Sequence, residues 1–207
     1  MDEQRNQIEN QPSRKGFFAG MISPLLFIWD FLKIVLIAVV IIIPIRYFVF
    51  QPFIVSGASM EPNFHNGQYL IIDELSYYLS EPKRGQVVVM RYPRDRQQYF
   101  IKRVIGLPGE KIEIDSGHVL INGQALTEFY LESQNLTFPH SEGVVSTKKS
   151  LTLGANQYFM MGDNRGASSD SRDWGPLDRK DMVGKVLLRV LPVNQLQIFL
   201  QAPEYSL

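Results

Sequence analysis

A serine and a lysine in this sequence lie in settings that suit a nucleophile and its base. Ser59 follows two small residues, Gly57 and Ala58, and precedes the segment Met60-Glu61-Pro62. The small residues let a backbone or a substrate approach closely, and the proline restricts the chain that leaves the serine. By itself this loop fits an ordinary surface turn better than a catalytic one. The rest of the chain must therefore supply a base.

The candidate base is Lys102, within the otherwise apolar segment 99–106. Adjacent residues of a strand point to opposite faces, so Lys102 and Arg103 separate, and one of the two charges is directed toward the more buried face. A free lysine has a pKa near 10.4, and burial can lower it toward ~7–8, at a cost of roughly 4 kcal/mol. A neutral Lys102 can take the proton from Ser59 as the hydroxyl attacks a carbonyl. The alternative is a strand whose two charges reach solvent or pair with carboxylates.

A third unusual stretch, residues 161–172, crowds Gly, Asp, Asn, Ser and Arg into one segment after a predicted strand. Such side chains satisfy loop backbone groups and form ion pairs. The stretch lacks the ligand spacing and the closing glutamate of an EF-hand calcium loop. It predicts a scaffold loop that can also orient a base through one hydroxyl.

Composition excludes several other kinds of site. The chain has 207 residues, with 21 basic and 21 acidic residues, and this balance argues against nucleic-acid binding. It has no cysteine, which removes disulfides, thiol catalysis and cysteine-ligated metals. No two of its three histidines, His65, His118 and His140, have metal-ligand spacing, and no Gly-x-Ser-x-Gly elbow occurs. We expect no metal and no cofactor.

A long apolar segment precedes these candidates. Residues 27–45 predict a transmembrane helix, because 19 helical residues reach roughly 28 Å, near the thickness of the hydrocarbon core. Asp30 and Lys33 are three apart and can face each other. Residues 1–26 are predicted to be a cytoplasmic tail with an interfacial lead-in. A cleaved signal peptide and a buried core helix are the alternatives, and the length and uniform apolarity of the segment disfavour both.

Basic residues set the predicted orientation. Arg14, Lys15 and Lys33 precede or begin the span, whereas Arg46 alone follows it closely. The positive-inside rule then places the N-terminus in the cytoplasm and residues 46–207 outside.

The segment after the span has the pattern of a β domain. Short alternating or β-branched runs are separated by turn signals such as Asn122-Gly123 and Ser116-Gly117, and no convincing amphipathic helix occurs. Residues 46–207 are therefore predicted to form a mainly β, antiparallel domain of packed sheets or a barrel, with an exposed excursion at 132–150. Strands are predicted at residues 68–73, 86–92, 99–105, 111–115, 118–121, 157–161 and 183–191.

Three stretches together resemble the type I signal peptidase family of membrane-bound serine–lysine endopeptidases. They are residues 59–62, 99–110 and 162–172, in the family's order, and residues 45–53 resemble its exit from the membrane. The resemblance covers about residues 27–191. It implies an antiparallel-sheet, signal-peptidase-like catalytic domain after one N-terminal transmembrane helix, in agreement with the strand pattern.

The resemblance also implies roles for individual residues. Ser59 becomes the nucleophile, Lys102 the general base, and Ser168 the hydroxyl that holds the lysine. Ser59 and Gly57 are the candidate oxyanion-hole positions. Some members carry a serine where this chain has Gly57, so the second donor of the hole stays open. The remaining support positions are Asp163, Arg165, Asp170, Arg172 and Arg103.

The implied substrates are the hydrophobic signal peptides of exported preproteins, cleaved after small residues in an Ala-x-Ala pattern at the plasma membrane. The peptide is expected to add as a strand beside an exposed edge. The implied partners are preprotein signal peptides and the lipid bilayer, with the protein-export translocon as a further candidate and no nucleic acid. The matching pocket positions are Phe53, Val55, Met60, Phe64, Phe100 and Ile101.

Two other functions are compatible with parts of the sequence. One is a non-catalytic, membrane-anchored β domain that binds exported proteins. The other is a self-cleaving repressor protease with a serine–lysine site, but those proteins lack a membrane anchor, which residues 27–45 predict here.

Overall fold

A computed structural model describes residues 15–48, 50–131, 136–138 and 150–200 of the protein. The chain divides into two compact units, Met1–Ile45 and Arg46–Leu207. Most of the predicted N-terminal tail and of the predicted excursion at 132–150 lies outside the described residues, as does His140.

One helix, α1 (Lys15–Phe48), accounts for the described part of the first unit. It begins well before the predicted start at Phe27, so the lead-in and the apolar segment form a single helix rather than two parts. The large apolar side chains between Leu26 and Ile42 are exposed. The predicted contact between Asp30 and Lys33 is confirmed, with 3.0 Å between Oδ1 and Nζ. Within the described residues, no helix is both long enough and apolar enough to cross a membrane.

The second unit is built mainly from antiparallel strands, as predicted. In chain order the described strands are β1 (Phe50–Ile54), β2 (Tyr69–Asp73), β3 (Val87–Tyr92), β4 (Asp95–Gly106), β5 (Lys111–Asp115), β6 (His118–Ile121), β7 (Gln124–Ala125), β8 (Leu151–Thr152), β9 (Gln157–Met161), β10 (Leu177–Asp178), β11 (Met182–Leu191) and β12 (Gln197–Ile198). The larger sheet has the order β1-β2-β11-β3-β4-β9-β10, with β12 beside β11, and the smaller has the order β7-β6-β5-β8.

The turns of the smaller sheet confirm two predicted signals. Asn122 and Gly123 have φ values of 51° and 85°, and they connect β6 to β7. Ser116 and Gly117 adopt similar values, 50° and 85°, between β5 and β6. Positive φ at both central residues gives the turn a twist that matches the strands of a hairpin. These turns fix the register of the smaller sheet.

Helical structure in the second unit is short. Helix α2 spans Leu75–Leu79 and helix α3 spans Ser171–Trp174, and 3₁₀ turns cover Arg179–Asp181 and Val193–Gln195. Helix α3 begins with a capping box, in which the Asp170 side chain accepts from the backbone and the Asp173 side chain accepts from Asp170 N–H. This cap fixes the end of the loop formed by residues 162–170, which precedes α3 and is called the Gly- and Asp-rich loop.

Strand β4 contributes to three clusters of buried apolar side chains. Ile105 packs between the two sheets with Ile112 and Phe159. On one face of β4, Ile101 belongs to a cluster with Met60, Phe64, Leu70 and Val89, among others. On the other face, Val104 joins Tyr77, Val88, Met90 and Met160. Residues 101–106 of β4 are buried, and the strand pairs with β3 up to Arg103 and with β9 from Arg103 onward, so Lys102 and Arg103 are held in fixed positions.

Candidate active site

The structure brings Ser59 and Lys102 together. The Lys102 Nζ lies 2.7 Å from the Ser59 Oγ, within hydrogen-bond distance. Lys102 projects from β4, whereas Ser59 lies in the loop between β1 and β2. That loop is closed at its base by two backbone hydrogen bonds, from Val55 N–H to Gln68 O and from Gly67 N–H to Val55 O, both 2.9 Å. Strand β4 and the hydrogen-bonded loop therefore hold the Lys102 amine and the Ser59 hydroxyl within hydrogen-bond distance.

Burial changes the chemistry of the lysine. Lys102 is only 3% exposed, and its removal from water lowers its pKa from 10.5 to about 8. Asp170 and Asp163 oppose this shift, and Arg172 adds to it. The Phe100 ring lies on one side of the ammonium, with 5.2 Å between Nζ and the ring centroid. The fraction of neutral lysine near pH 7 is thus far larger than for a lysine in water.

Arg103 points away from Lys102, as strand alternation predicts. Its Nε and Nη2 atoms donate to the two carboxylate oxygens of Asp163, at 2.8 and 2.5 Å, and its Nη1 donates to Gly85 O at 2.9 Å. The guanidinium also lies over the Tyr130 ring, 4.1 Å from the centroid. Arg103 therefore links β4 to the start of the Gly- and Asp-rich loop.

Asp170 and Arg172 form a second buried pair at the end of that loop. Arg172 Nε and Nη2 donate to the carboxylate at 2.8 and 2.7 Å, and Gly162 N–H donates to it at 3.1 Å. Burial raises the pKa of Asp170, but the hydrogen bonds and charge of Arg172 outweigh it and hold the pKa below the usual value. The carboxylate stays ionised, and it stabilises the ammonium form of Lys102.

Arg165 joins the same loop to a distant part of the chain. Its guanidinium donates to the Glu128 carboxylate, to Thr137 Oγ1 and to Tyr130 OH, and its Nε donates to Gly162 O at 3.1 Å. Arg165 is only 1% exposed. This network anchors Thr137, which lies inside the predicted exposed excursion yet is itself buried.

The hydrogen bond predicted from Ser168 to Lys102 is not formed in this structure. Ser168 Oγ is buried and has no hydrogen-bond partner among the described residues. The hydroxyl lies against Gly162 instead, where an added Cβ would come 2.2 Å from Oγ and 2.4 Å from Ser59 O. Gly162 thus permits the close approach of the Ser168 side chain and of residues 55–68, the loop that carries Ser59 and is called the serine loop.

A cleft of about 540 Å³ opens beside the Ser59–Lys102 pair. Four of the six predicted pocket residues line it, namely Phe53, Val55, Phe100 and Ile101. The other two are corrected by the structure, because Met60 and Phe64 are 0% and 1% exposed and pack in the apolar cluster below the loop. The Phe64 ring contacts the Phe199 ring, with 5.3 Å between centroids. Their apolar character therefore reflects the core rather than the cleft.

Asparagines that the sequence left unassigned hold the serine loop. Gly57 N–H, a candidate oxyanion donor, donates to Asn66 Oδ1 at 3.0 Å and is committed to the loop in this structure. Asn164 donates from its backbone N–H to Ser59 O at 3.1 Å and from Nδ2 to Ala58 O at 3.2 Å. Asn164 lies inside the motif of residues 162–165, whereas nothing in the sequence marks Asn66.

The described residues include no group of three or more His, Asp or Glu side chains placed to hold a metal ion.

Comparison with known proteins gives the family. The family described as signal peptidase, peptidase S26, matches residues 28–191. Signal peptidase I P of Bacillus subtilis subsp. natto is 34% identical over 171 residues, which cover 81% of this chain and 91% of that protein. Probable signal peptidase I-1 of Synechocystis sp. is 33% identical over 185 residues, which cover 84% of this chain and 89% of that protein. A crystal structure of a signal peptidase I from Enterococcus faecalis V583 is 32% identical, with a TM-score of 0.42, and covers 51% of this chain and 97% of that chain. This chain belongs to the signal peptidase family, peptidase S26.

Proposed function

We propose that this chain cleaves signal peptides from exported preproteins, with Ser59 as nucleophile and neutral Lys102 as general base. The observation that carries the proposal is the 2.7 Å separation between the Ser59 Oγ and the Nζ of a buried lysine. Membership of the signal peptidase family supports the reaction class. The apolar surroundings that lower the pKa of Lys102 supply what a lysine base needs near neutral pH.

The geometry supports a two-step acyl transfer. Lys102 accepts the Ser59 proton while Oγ attacks the scissile carbonyl, and the resulting ammonium then protonates the leaving amine. Water hydrolyses the acyl-enzyme in the second step, with Lys102 again accepting a proton. With a pKa of about 8, roughly one lysine in ten is neutral at pH 7.

The oxyanion of the tetrahedral intermediate is proposed to accept a hydrogen bond from Ser59 N–H. Within the described part of the chain this amide donates to no other group. The hydrogen bond from Gly57 N–H to Asn66 argues against Gly57 as a donor unless that bond opens. Preorganised backbone donors of this kind stabilise charge that develops in the transition state.

The cleft is proposed to bind the signal peptide as an extended strand, with small residues at the first and third positions before the cleaved bond. Its walls are apolar at Phe53, Val55 and Ile101, and residues of β1 and β4 line it. Ala167 and Ser169 add short side chains to its lining. Strand addition beside such a sheet provides main-chain hydrogen bonds for affinity, and the pockets provide specificity.

We propose further that residues 27–45 anchor the chain in the plasma membrane, with the N-terminus cytoplasmic and residues 46–207 outside. The exposed apolar side chains between Phe27 and Ile42 support this proposal, because large exposed apolar surfaces mark sites that bind membranes or other proteins. This location places the cleft where preproteins emerge, near the protein-export translocon.

Cleavage of a purified preprotein with an Ala-x-Ala site tests the proposal, with the full chain in detergent. We expect Ser59→Ala and Lys102→Ala each to abolish cleavage. Lys102→Arg is expected to stay inactive, because arginine keeps its proton near pH 7. Lys111→Ala is the matched control, since this strand lysine is 47% exposed and is expected to be dispensable. Full activity of both alanine variants would contradict the Ser59–Lys102 dyad, whereas absence of cleavage by the wild-type chain would favour the non-catalytic binding domain.

A further inference from the structure

We propose that Asn164 is a positioning residue that aims Ser59 N–H at the reacting carbonyl. The inference rests on the proposed function of Ser59 as nucleophile. Asn164 does not touch the reacting atoms in this arrangement, and it acts through the peptide group that carries the oxyanion donor.

Asn164 holds two successive carbonyls of the serine loop. Its backbone N–H donates to Ser59 O at 3.1 Å, and its side-chain Nδ2 donates to Ala58 O at 3.2 Å. A single residue thereby fixes the peptide groups on both sides of the nucleophile. Asn164 is itself held in the loop that Arg103 and Asp163 anchor to β4.

The bond to Ala58 O determines where Ser59 N–H points. The Ala58–Ser59 peptide is trans, and in a trans peptide the C=O and N–H bonds point in opposite directions. With its carbonyl turned toward Asn164, this peptide turns Ser59 N–H to the other side. Because that amide donates to no group in the described part of the chain, it is available to an oxyanion.

Two neighbouring contacts set the size of the expected effect. Gly57 N–H already donates to Asn66 Oδ1, so it does not replace Ser59 N–H as the donor to the oxyanion. Glu61 N–H also donates to Ala58 O, at 3.2 Å, and it remains when the Asn164 side chain is removed. The peptide plane is then loosened rather than released, so the loss is expected to be smaller than that of a deleted donor.

Asn164→Leu is the test variant, because leucine has a similar size but cannot donate to Ala58 O. The backbone bond from residue 164 to Ser59 O is kept in this variant. Asn164→Ala serves as a second variant in case leucine disturbs the loop. Asn156→Leu is the matched control, since Asn156 is exposed and does not line the cleft.

A peptide aldehyde with alanine at its first and third positions provides the readout. Ser59 Oγ bonds to the aldehyde carbon, the carbonyl electron pair moves to oxygen, and the hydroxyl proton passes to Lys102 Nζ. The adduct therefore carries an oxyanion, whereas the matching peptide alcohol binds without one. Comparing the two Kd values isolates the oxyanion interaction from ordinary peptide binding.

We expect Asn164→Leu to weaken aldehyde binding about 10-fold while the Kd of the peptide alcohol changes by less than about two-fold. A deleted oxyanion donor costs roughly 10²–10³ in rate, and a misaligned donor should cost less. For cleavage, kcat should fall by a similar factor with KM nearly unchanged. Asn164→Ala should behave alike, and Asn156→Leu should match the wild type.

Equal weakening of aldehyde and alcohol, or no change in either, would overturn the positioning role of Asn164. Failure of the proposed function has a different signature. In that case the wild-type chain itself neither cleaves the preprotein nor forms an aldehyde adduct at Ser59, as read by mass spectrometry with Ser59→Ala as reference.

Discussion

Burial of Lys102 in its ammonium form destabilises the folded state. Its pKa falls from 10.5 to about 8 on folding, which corresponds to about 3 kcal/mol lost from stability while both states are protonated. The loss is complete below pH 8 and disappears as pH rises to about 10.5, because the unfolded lysine then also becomes neutral.

Lys102→Met should therefore stabilise the domain while abolishing cleavage. We expect a gain of up to about 3 kcal/mol in unfolding free energy at pH 7, which shrinks between pH 8 and 10.5. Urea unfolding at several pH values in detergent measures it, with Lys111→Met as the exposed-lysine control. A gain that does not depend on pH would mean that packing, rather than charge, is responsible.

At the scale of single residues, the direction of a side chain can be predicted within a strand but not within a loop. The opposite orientations of Lys102 and Arg103 follow from strand alternation, and the structure confirms them. The resemblance to the signal peptidase family implies that Met60 and Phe64 line the cleft, but both lie in the core. Whether an apolar loop residue faces a cleft or a core depends on packing with distant strands, which the local sequence does not contain.

Among the structural elements, the Gly- and Asp-rich loop gives the sharpest steric prediction. A Cβ at Gly162 would lie 2.2 Å from Ser168 Oγ and 2.4 Å from Ser59 O, so the serine loop must move. We expect Gly162→Ala to lower kcat/KM at least 100-fold, as displaced oxyanion donors do, and to destabilise the domain by about 1–3 kcal/mol.

Gly166→Ala is the matched control for this substitution. Gly166 belongs to the same loop, but a Cβ there would meet nothing within 4 Å. Steady-state cleavage and thermal unfolding of the two variants should differ accordingly. Similar behaviour of the two alanines would show that the close approach at Gly162 is unimportant.

Strand prediction succeeded where alternation and turn residues agree. The bounds of β5, β6 and β9 are those predicted, and β5 and β6 are joined by the predicted Ser116-Gly117 turn. Strand β1 was missed because Phe50–Ile54 continues an apolar run and contains Pro52, which is tolerated because β1 lies at the sheet edge. The two-residue strands β7, β8, β10 and β12 are too short to leave a pattern.

At the scale of the whole molecule, an apolar helix followed by a β domain predicts that the β domain lies on one side of the membrane and the N-terminal tail on the other. Proteinase added to intact spheroplasts should digest residues 46–207 and leave the N-terminal tail protected. The apolar segment should also keep the chain in the membrane pellet after alkaline carbonate extraction.

A fusion of the same tag to either end provides the control for this topology, since only the C-terminal tag should be lost. Protection of the C-terminal tag in intact cells, with digestion after lysis, would reverse the proposed orientation. Release of the whole chain by carbonate would contradict the anchor.

No single stretch of the sequence identifies the site. The serine loop alone fits an ordinary turn, and its meaning depends on a lysine 43 residues away that β4 brings to 2.7 Å. The support pairs of Arg103 with Asp163 and Arg172 with Asp170 hold the loop between them. Contacts made by Asn66 and Asn164 to the serine loop arise only from the folded arrangement, since asparagine is common in turns.

The pH dependence of kcat/KM tests most directly whether a neutral lysine activates Ser59, because this parameter reports the pKa values of the free enzyme. For cleavage of an Ala-x-Ala peptide we predict a rate that rises with pH through a midpoint near 8, about tenfold lower at pH 7 than on the plateau. A midpoint near 6.5, the ordinary value of histidine, or a rate independent of pH between 6 and 9 would contradict Lys102 as the base.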